Sequence, residues 1–288
     1  MAEAAAASRL PQLLGCDFSS SPSRKKPIVH ALGKLDAANR SVHLQGFAHF
    51  STLEAWSLQL QQDAAWVGGF DLPFGLPRAL VEELAWPSDW RTCMQHYAGL
   101  SRQQIREQFK AFCAARPAGQ KFAHRTTDGP AGSSPSMKWV NPPVAFMLHA
   151  GVPRLLAAGV SFPGLLPNDS GKVALEAYPG LLARELIGRR SYKSDDAKRQ
   201  TAERAEARQD CLVALLRGEN RLQLRLQASA ELRQQMQADA SGDHLDAAIC
   251  MLQTGWALLQ HLQGDALYGL PAQTDPLEGW IVTAPLSR

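Results

Sequence analysis

The stretch Leu13-Leu14-Gly15-Cys16-Asp17-Phe18-Ser19-Ser20-Ser21 decides the fold, because it is typical of a short buried strand that delivers one carboxylate. Apolar residues up to Cys16 suit a central strand that is covered on both faces, and the serines followed by Pro22 end it at once. Asp17 then lies where a buried sheet opens to solvent. An unpaired carboxylate is costly to bury, so a metal ion or a phosphate-bearing ligand is one expected partner. The alternative is that Asp17 caps the serine turn.

The composition predicts one globular domain over residues 1–288. The chain has 288 residues, of which 45% are hydrophobic, enough for a substantial core. No apolar run approaches the roughly 20 residues that span a bilayer, so no membrane partner is expected. Residues 1–10 include an alanine run but also Glu3, and they lack a basic start. We expect them to be disordered rather than an export signal.

Cysteine usage and charge narrow the compartment and the partners. The five cysteines are scattered and contain no Cys-x-x-Cys pair, which favours a reducing cytoplasm and argues against a structural zinc site. A net charge of +3 permits a polyanionic partner without requiring one. The sequence leaves the oligomeric state open.

The first third of the chain predicts an antiparallel meander followed by a helix and a further strand. Residues 26–35 and 41–50 have strand patterns and are joined by a short polar turn. Ser51 or Thr52 begins a helix that is expected to reach about residue 63. The next strand, 64–70, ends in Asp71 and a Pro and Gly rich turn, so Asp71 repeats the arrangement at Asp17.

Residues 78–170 form a predicted helical and loop-rich insertion. Within it, 117–143 is rich in Pro, Gly, Ser and Thr, with Lys121, Arg125 and Trp139 interleaved. A basic loop with an aromatic residue could follow a nucleic-acid backbone and stack a base. The alternative is a solvated loop with Trp139 packed against the core.

The last part of the chain adds two more acidic positions. A strand at 172–179 carries Glu176 near its end, a helix follows at 181–187, and residues 195–217 and 221–239 are predicted to be helical. A helix from about 242 to 261 has small and apolar residues throughout, so it should pack on the sheet. Asp243 and Asp246 lie on one face of its first turn, where the helix dipole also stabilises acids.

Acids therefore recur at the ends of apolar elements: Asp17, Asp71, Glu176, and Asp243 with Asp246. Loops for nucleotide phosphates and the common hydrolase and zinc-protease motifs are absent from the sequence. Carboxylates gathered from separate elements repel one another unless cations lie between them, and such ligands suit Mg²⁺ or Mn²⁺. Two such ions could hydrolyse a phosphodiester bond.

Five stretches in order resemble the domain-of-unknown-function family 429, a family of predicted nucleases with a ribonuclease H-like fold. The stretches are Gly15-Cys16-Asp17-Phe18-Ser19, Phe70-Asp71-Leu72-Pro73-Phe74-Gly75-Leu76-Pro77, Leu175-Glu176-Ala177-Tyr178-Pro179, Asp243-His244-Leu245-Asp246-Ala247 and Glu278-Gly279-Trp280-Ile281-Val282. The resemblance implies an α/β fold with a mixed sheet, a three-strand meander beside parallel strands, and helices on both sides.

The resemblance also implies roles for individual residues. Asp17 would bridge both metal ions, Asp71 or Glu176 would bind one from a strand end, and Asp246 with Asp243 would complete the site. Further residues are candidates for contacts with a nucleic-acid substrate: Ser19, Lys121, Arg125, Trp139 and Lys193. Lys193 could contact a phosphate or hold a neighbouring carboxylate, and a basic residue after a helix also suits the helix C-terminus.

Two other classes of function stay open at this point. A phosphotransferase or small-molecule kinase relative would share the fold and place an acid in a similar first turn, but a second Gly-rich loop for adenosine is missing. A catalytically inactive binding or adaptor protein would retain the fold without the chemistry.

Overall fold

The computed structural model describes residues 10–62 and 64–286. The segment predicted to be disordered, 1–10, therefore lies outside the described residues except for Leu10. The strands are β1 (Gln12–Asp17), β2 (Ile28–Asp36), β3 (Ser41–Phe50), β4 (Trp66–Phe70), β5 (Lys172–Glu176) and β6 (Arg225–Gln227).

Helices connect and cover the strands. They are α1 (Leu53–Leu60), α2 (Arg78–Glu83), α3 (Trp90–Gly99), α4 (Arg102–Ala114), α5 (Asp128–Ala131), α6 (Val144–Ala157), α7 (Pro179–Ile187), α8 (Ala202–Arg217), α9 (Ala230–Ala238) and α10 (Asp243–Leu262). The predicted helical insertion corresponds to α2 through α6, which lie between β4 and β5.

The strands form one mixed sheet in the order β5-β4-β1-β2-β3-β6. Neighbouring strands in the β1-β2-β3 group are antiparallel, which confirms the predicted meander. On the other side of β1, the strands β4 and β5 run parallel to it. The protein is thus an α/β fold whose mixed sheet is flanked by helices, and β1 lies near the middle of the sheet as its apolar sequence predicts.

Each face of the sheet has its own hydrophobic core. On one face, α1 and the helices of the insertion cover Cys16 and Phe70, with Trp56 fully buried. On the other face, α7, α8 and above all α10 cover the sheet, and Leu13 and Val67 lie in this second core. Because β1 is buried on both sides, the acid at its end lies at the edge of a dry interior.

Several boundaries follow from local caps. Thr52 is the N-cap of α1, and its hydroxyl accepts a hydrogen bond from the Ala55 N–H at 3.1 Å, as its sequence position predicts. The helix ends at Leu60, so the predicted end at residue 63 lies beyond it and outside the described residues. The helix predicted from residue 195 starts later, at Ala202, after a short 3₁₀ helix over Ala197–Arg199.

The helix predicted over 221–239 is wrong in its first half. Arg225–Gln227 forms β6, which pairs with β3 in parallel, and the helix occupies only Ala230–Ala238. Leu224 and Leu226 are buried whereas Arg225 between them is exposed. This alternation has the period of a strand rather than that of a helix, and the abundance of Gln and Leu obscured it.

Two further findings concern membrane-spanning helices and the cysteines. Within residues 10–62 and 64–286, no helix combines the length and the apolar character needed to cross a bilayer. All five cysteines are free and buried.

Candidate functional site

Asp17 and Asp71 lie side by side at the ends of two parallel strands. Cys16 of β1 is in register with Phe70 of β4, so the two acids occupy the next positions along the strands. The Asp71 N–H donates a hydrogen bond to the carbonyl oxygen of Cys16 at 2.9 Å, which extends the pairing to the acids. Adjacent strands are about 4.8 Å apart, so these two carboxylates share one small region.

The pleat of the sheet directs both acids toward α10. Two residues before each acid, Gly15 and Gly69 face this helix, and residues two apart share a face of the sheet. A Cβ atom on Gly15 would lie 2.1 Å from the carbonyl oxygen of Ala247. One on Gly69 would lie 2.4 Å from the Thr254 hydroxyl oxygen. The missing side chains therefore let α10 lie directly on β1 and β4.

The first turn of α10 carries the second pair of acids to the same place. Asp243 is 8% exposed and Asp246 is fully buried. The helix begins after Gly242, whose φ of 80° is a conformation that glycine tolerates best. Four of the five predicted acids, Asp17, Asp71, Asp243 and Asp246, are thus brought together, and we call them the acid cluster.

Asp246 has its own cationic partner. The Tyr192 hydroxyl donates to one oxygen of Asp246 at 2.5 Å, and the Lys193 ammonium donates to the other. The segment that carries both partners is held by Arg208, which donates to the carbonyl oxygen of Tyr192 at 2.8 Å, and by Arg204, which donates to that of Lys193. The charge of the buried Asp246 is therefore matched inside the protein.

The other acids of the cluster are short of positive charge. Burial raises the pKa of Asp17 well above its ordinary value, and although Lys193 opposes this shift, Asp246, Asp243 and Asp71 reinforce it. Burial likewise raises the pKa of Asp71 to about 7, against the effect of Lys193. The pKa of Asp243 is raised by burial and by Asp239. Lys193 opposes the shifts at Asp17 and Asp71, and Lys26 opposes the shift at Asp243, but the pKa of each of these acids stays raised. This is the electrostatic setting that attracts a further cation.

Glu176 borders one cavity together with Asp71 and helps to raise the pKa of Asp71, but its carboxylate is bound by other partners than those of the acid cluster. It is in register with Phe70 rather than with Asp71, so the pleat sends its side chain toward the opposite face of the sheet. There its carboxylate accepts hydrogen bonds from the guanidinium of Arg125 at 2.7 and 2.8 Å and from the Phe74 N–H at 2.9 Å. Asp128 completes this buried network through its own bonds to Arg125.

The predicted substrate-binding residues lie in different environments. Ser19 and Lys193 border a cleft of about 640 Å³ together with Asp17, Asp243 and Lys26. This cleft runs between the sheet and the start of α6.

The other three predicted substrate-binding residues do not border the cleft beside Asp17: Arg125, Trp139 and Lys121. Arg125 is 3% exposed and bound to acids, so its guanidinium is already engaged. Trp139 packs against Phe122, with ring centroids 5.4 Å apart, which favours the interpretation of this loop as a packed connection. Among the described residues, neither Trp139 nor the exposed Lys121 lines the cavities that contain Asp17 or Asp71.

The donor chemistry fits a hard divalent cation, but not a cage made by the protein alone. Across the part of the chain that the structure describes, no three His, Cys, Asp or Glu side chains are grouped so that they could enclose a metal ion. Asp17 and Asp71 are half-buried and border cavities, whereas Asp246 is closed off by Tyr192 and Lys193. Mg²⁺ characteristically uses one or two carboxylates and completes its shell with waters and substrate phosphates, so this pair suits it.

Sequence reasoning missed Tyr192 and the distinction between the two kinds of acid. The signal for the second point was the position of each acid along its strand: Asp17 and Asp71 follow Gly15 and Gly69 by two residues, whereas Glu176 has no such glycine before it. The bond between Tyr192 and Asp246 joins residues 54 apart in the chain, and no local pattern announces it.

Fold and site together define an α/β protein with an acid cluster at the ends of parallel strands. The chain belongs to the family described as "Protein of unknown function (DUF429)", which it matches over residues 15–273. This match covers four of the five stretches that carry the resemblance and leaves only the last one, near residue 280, outside. Searches of curated proteins and of solved structures found no match.

Proposed function

We propose that this protein is a divalent-cation-dependent hydrolase that cleaves phosphodiester bonds in a nucleic acid. The observation that carries the proposal is the position of Asp17 beside Asp71, facing Asp243 and Asp246, with Lys193 as the nearby cation. Such a group of buried carboxylates raises the free energy of the protein unless further positive charge is bound. A reaction that uses a bound cation would explain why the protein has this group of carboxylates.

The architecture supports the same proposal. A central β1, an antiparallel meander on one side and parallel strands on the other form the arrangement expected for a ribonuclease H-like protein. The acids come from the end of the first strand, the end of β4 and the first turn of a late helix. In the proposal, the sheet and α10 serve as a rigid frame that fixes these groups relative to one another.

Each side chain has a role in the proposed reaction. Asp17 and Asp71 would hold Mg²⁺ or Mn²⁺, which supplies Lewis acidity and lowers the pKa of water. Asp246 stays bound to Lys193 and Tyr192 and fixes the negative field around the site. Asp243 borders the cleft and would orient the attacking water. Glu176 would support the fold through Arg125 rather than bind a cation.

The cleft beside Asp17 is the proposed place for the nucleic-acid backbone. Its walls include Ser19, Ser20, Ser194 and Ser241 together with Lys26 and Lys193. The two ammonium groups pair with Asp195 and Asp246, and, unlike the buried Arg125, both lysine side chains keep at least 40% of their surface exposed. Hydroxyl and ammonium donors are typical partners of phosphate oxygens. A net charge of +3 at neutral pH is compatible with a polyanionic substrate.

A cleavage assay tests this function. Purified protein is incubated with labelled single strands, duplexes, hybrids and branched junctions in Mg²⁺ or Mn²⁺, and we expect cleavage of at least one class. Asp17→Asn should abolish this cleavage, whereas Asp169→Asn, at an exposed acid, should leave it unchanged. Cleavage that survives Asp17→Asn would sink the assignment of the site. Consumption of ATP with a small-molecule panel, without any cleavage, would favour a kinase instead.

A further inference from the structure

We propose that Lys193 takes the place of a second metal ion, so that the acid cluster binds one divalent cation rather than two. This inference rests on the proposed function, because it concerns how the same site divides its carboxylates. Lys193 is assigned as a positioning residue: it neutralises Asp246 and leaves Asp17 and Asp71 for the cation.

The first reason is that both oxygens of Asp246 are already engaged. One accepts the Tyr192 hydroxyl and the other accepts the Lys193 ammonium, while the residue has no exposed surface. A metal ion bound to Asp246 would have to share an oxygen with one of these two donors, at a residue without exposed surface. Asp17 and Asp71 have open space beside them, since each borders a cavity.

The second reason is that the backbone of Lys193 is fixed from several sides. Arg204 binds its carbonyl oxygen, and the N–H of Ser194 donates to the carbonyl oxygen of Ala240 at 3.0 Å. Gly242 lies against its side chain, since a Cβ there would be 2.8 Å from the Lys193 Cβ. The ammonium is therefore built into the site by the chain around it, and the start of α10 is shaped to admit it.

The third reason is electrostatic. A second divalent ion at Asp246 would lie beside the Lys193 ammonium, which is already in contact with that carboxylate, and like charges at such short separations repel each other. Lys193 also acts on both other acids, since it opposes the rise in pKa at Asp17 and at Asp71. Lys193 thus offsets part of the negative charge of the acid cluster, as a second metal ion would.

The experiment counts bound ions. Metal-free protein is titrated with MnCl₂, and free Mn²⁺ is followed by electron paramagnetic resonance. We expect one Mn²⁺ per chain for the wild type and for Lys193→Arg. Lys193→Met keeps an unbranched side chain that is one atom shorter and removes its charge, and it should bind two ions with a spin-coupled signal. Lys198→Met, at an exposed lysine nearby, should behave as the wild type.

The outcomes separate this inference from the proposed function. Two ions on the wild type, or one ion on a folded Lys193→Met, would overturn the role of Lys193 while leaving a metal-dependent enzyme in place. No binding to the wild type would overturn both. If Lys193→Met does not fold, the number of ions bound by the wild type and by Lys193→Arg still decides whether the cluster binds one ion or two.

Discussion

Asp71 and Glu176 leave the ends of neighbouring parallel strands toward opposite faces of the sheet, yet both border one cavity. Phe70 is in register with Glu176, so Glu176 lies one position before the level of Asp71. At the level of Asp71 the neighbouring strand carries Ala177, whose N–H donates to the carbonyl oxygen of Phe70 at 2.9 Å. One step along a strand therefore separates an acid of the cluster from a partner of Arg125.

Glu176→Gln should lower stability rather than cation binding. Asp128 still neutralises Arg125 in this variant, but the Gln amide cannot accept from both Arg125 nitrogens and the Phe74 N–H as the carboxylate does. Loss of a buried hydrogen bond to a charged group costs about 1.5–3 kcal/mol. Urea unfolding measures this loss. Glu185→Gln is the matched control: Glu185 pairs with Arg221 at 2.6 Å at a partly exposed position, where a pair contributes about 1 kcal/mol or less. Equal losses for the two variants would contradict the structural role of Glu176.

Gly15→Ala should disrupt the contact between β1 and α10. The new methyl group would meet backbone atoms of Ala247 and Met251 at 2.1 and 2.2 Å, and backbone atoms of a packed helix yield little. We expect a loss of at least ~3 kcal/mol, the upper end for overpacked cores. Gly46→Ala, in β3 with open space around it, should change stability by less than about 1 kcal/mol. A stable Gly15→Ala protein would show that the helix lies farther from the strand.

Asp71 should make the metal-free protein less stable as the pH rises. Its pKa is about 7 in the folded protein and 3.8 as the ordinary value, so the folded state binds more protons between these pH values. Stability therefore falls as the pH rises through this window, by up to ~4 kcal/mol. Urea unfolding from pH 4 to pH 8 should show a shallower fall in Asp71→Asn, whereas Asp169→Asn should match the wild type.

Saturating Mg²⁺ should reverse this trend. Cation binding requires the deprotonated carboxylates, so its stabilising effect should grow as the pH rises toward 8. The difference between unfolding curves with and without Mg²⁺ measures it directly. A Mg²⁺ effect that is the same at pH 5 and pH 8 would argue against binding at Asp71.

His30 should make the protein less stable as the pH falls, which is the opposite of the effect of Asp71. It is fully buried, its Nε2 accepts a hydrogen bond from the Trp56 indole at 2.7 Å, and burial lowers its pKa to about 3 from 6.5. The unfolded state binds more protons between these values, so stability is lost as the pH falls below 6.5, by about 1.4 kcal/mol per unit.

His30→Gln keeps an acceptor for Trp56 but cannot titrate. It should be less stable than the wild type at pH 7 and lose less stability on acidification to pH 4. His124→Gln, at an exposed histidine, should keep the slope of the wild type. Parallel curves for His30→Gln and the wild type would place the lost stability elsewhere.

The sequence was sufficient to predict the parts of the fold that depend on local patterns. Apolar runs that end in an acid located β1 and β4, and two strands joined by a polar turn predicted the meander. Small and apolar residues predicted that α10 packs on the sheet. The ends of β1 and β4 and the first turn of α10 meet at one edge, so the structure brings together Asp17, Asp71, Asp243 and Asp246.

The sequence did not predict features that depend on strand register or on partners far away in the chain. Whether Glu176 faces α10 depends on its alignment with β4, which a single strand does not reveal. Arg125 was assigned to substrate because its loop is basic, but its partner Glu176 is 51 residues away and lies in the core. The strand at Arg225–Gln227 exists only because β3 offers an edge to it.

The most direct test of the account is a double-mutant cycle for cation binding by Asp17 and Asp71. Mn²⁺ affinity is measured by calorimetry at pH 8 for the wild type, Asp17→Asn, Asp71→Asn and the double variant. If the two carboxylates hold one ion, each single substitution should weaken binding at least ~10-fold. The double substitution should then add little, with a coupling energy of ~1 kcal/mol or more. Wild-type affinity in either single variant, or additive losses, would contradict a shared cation.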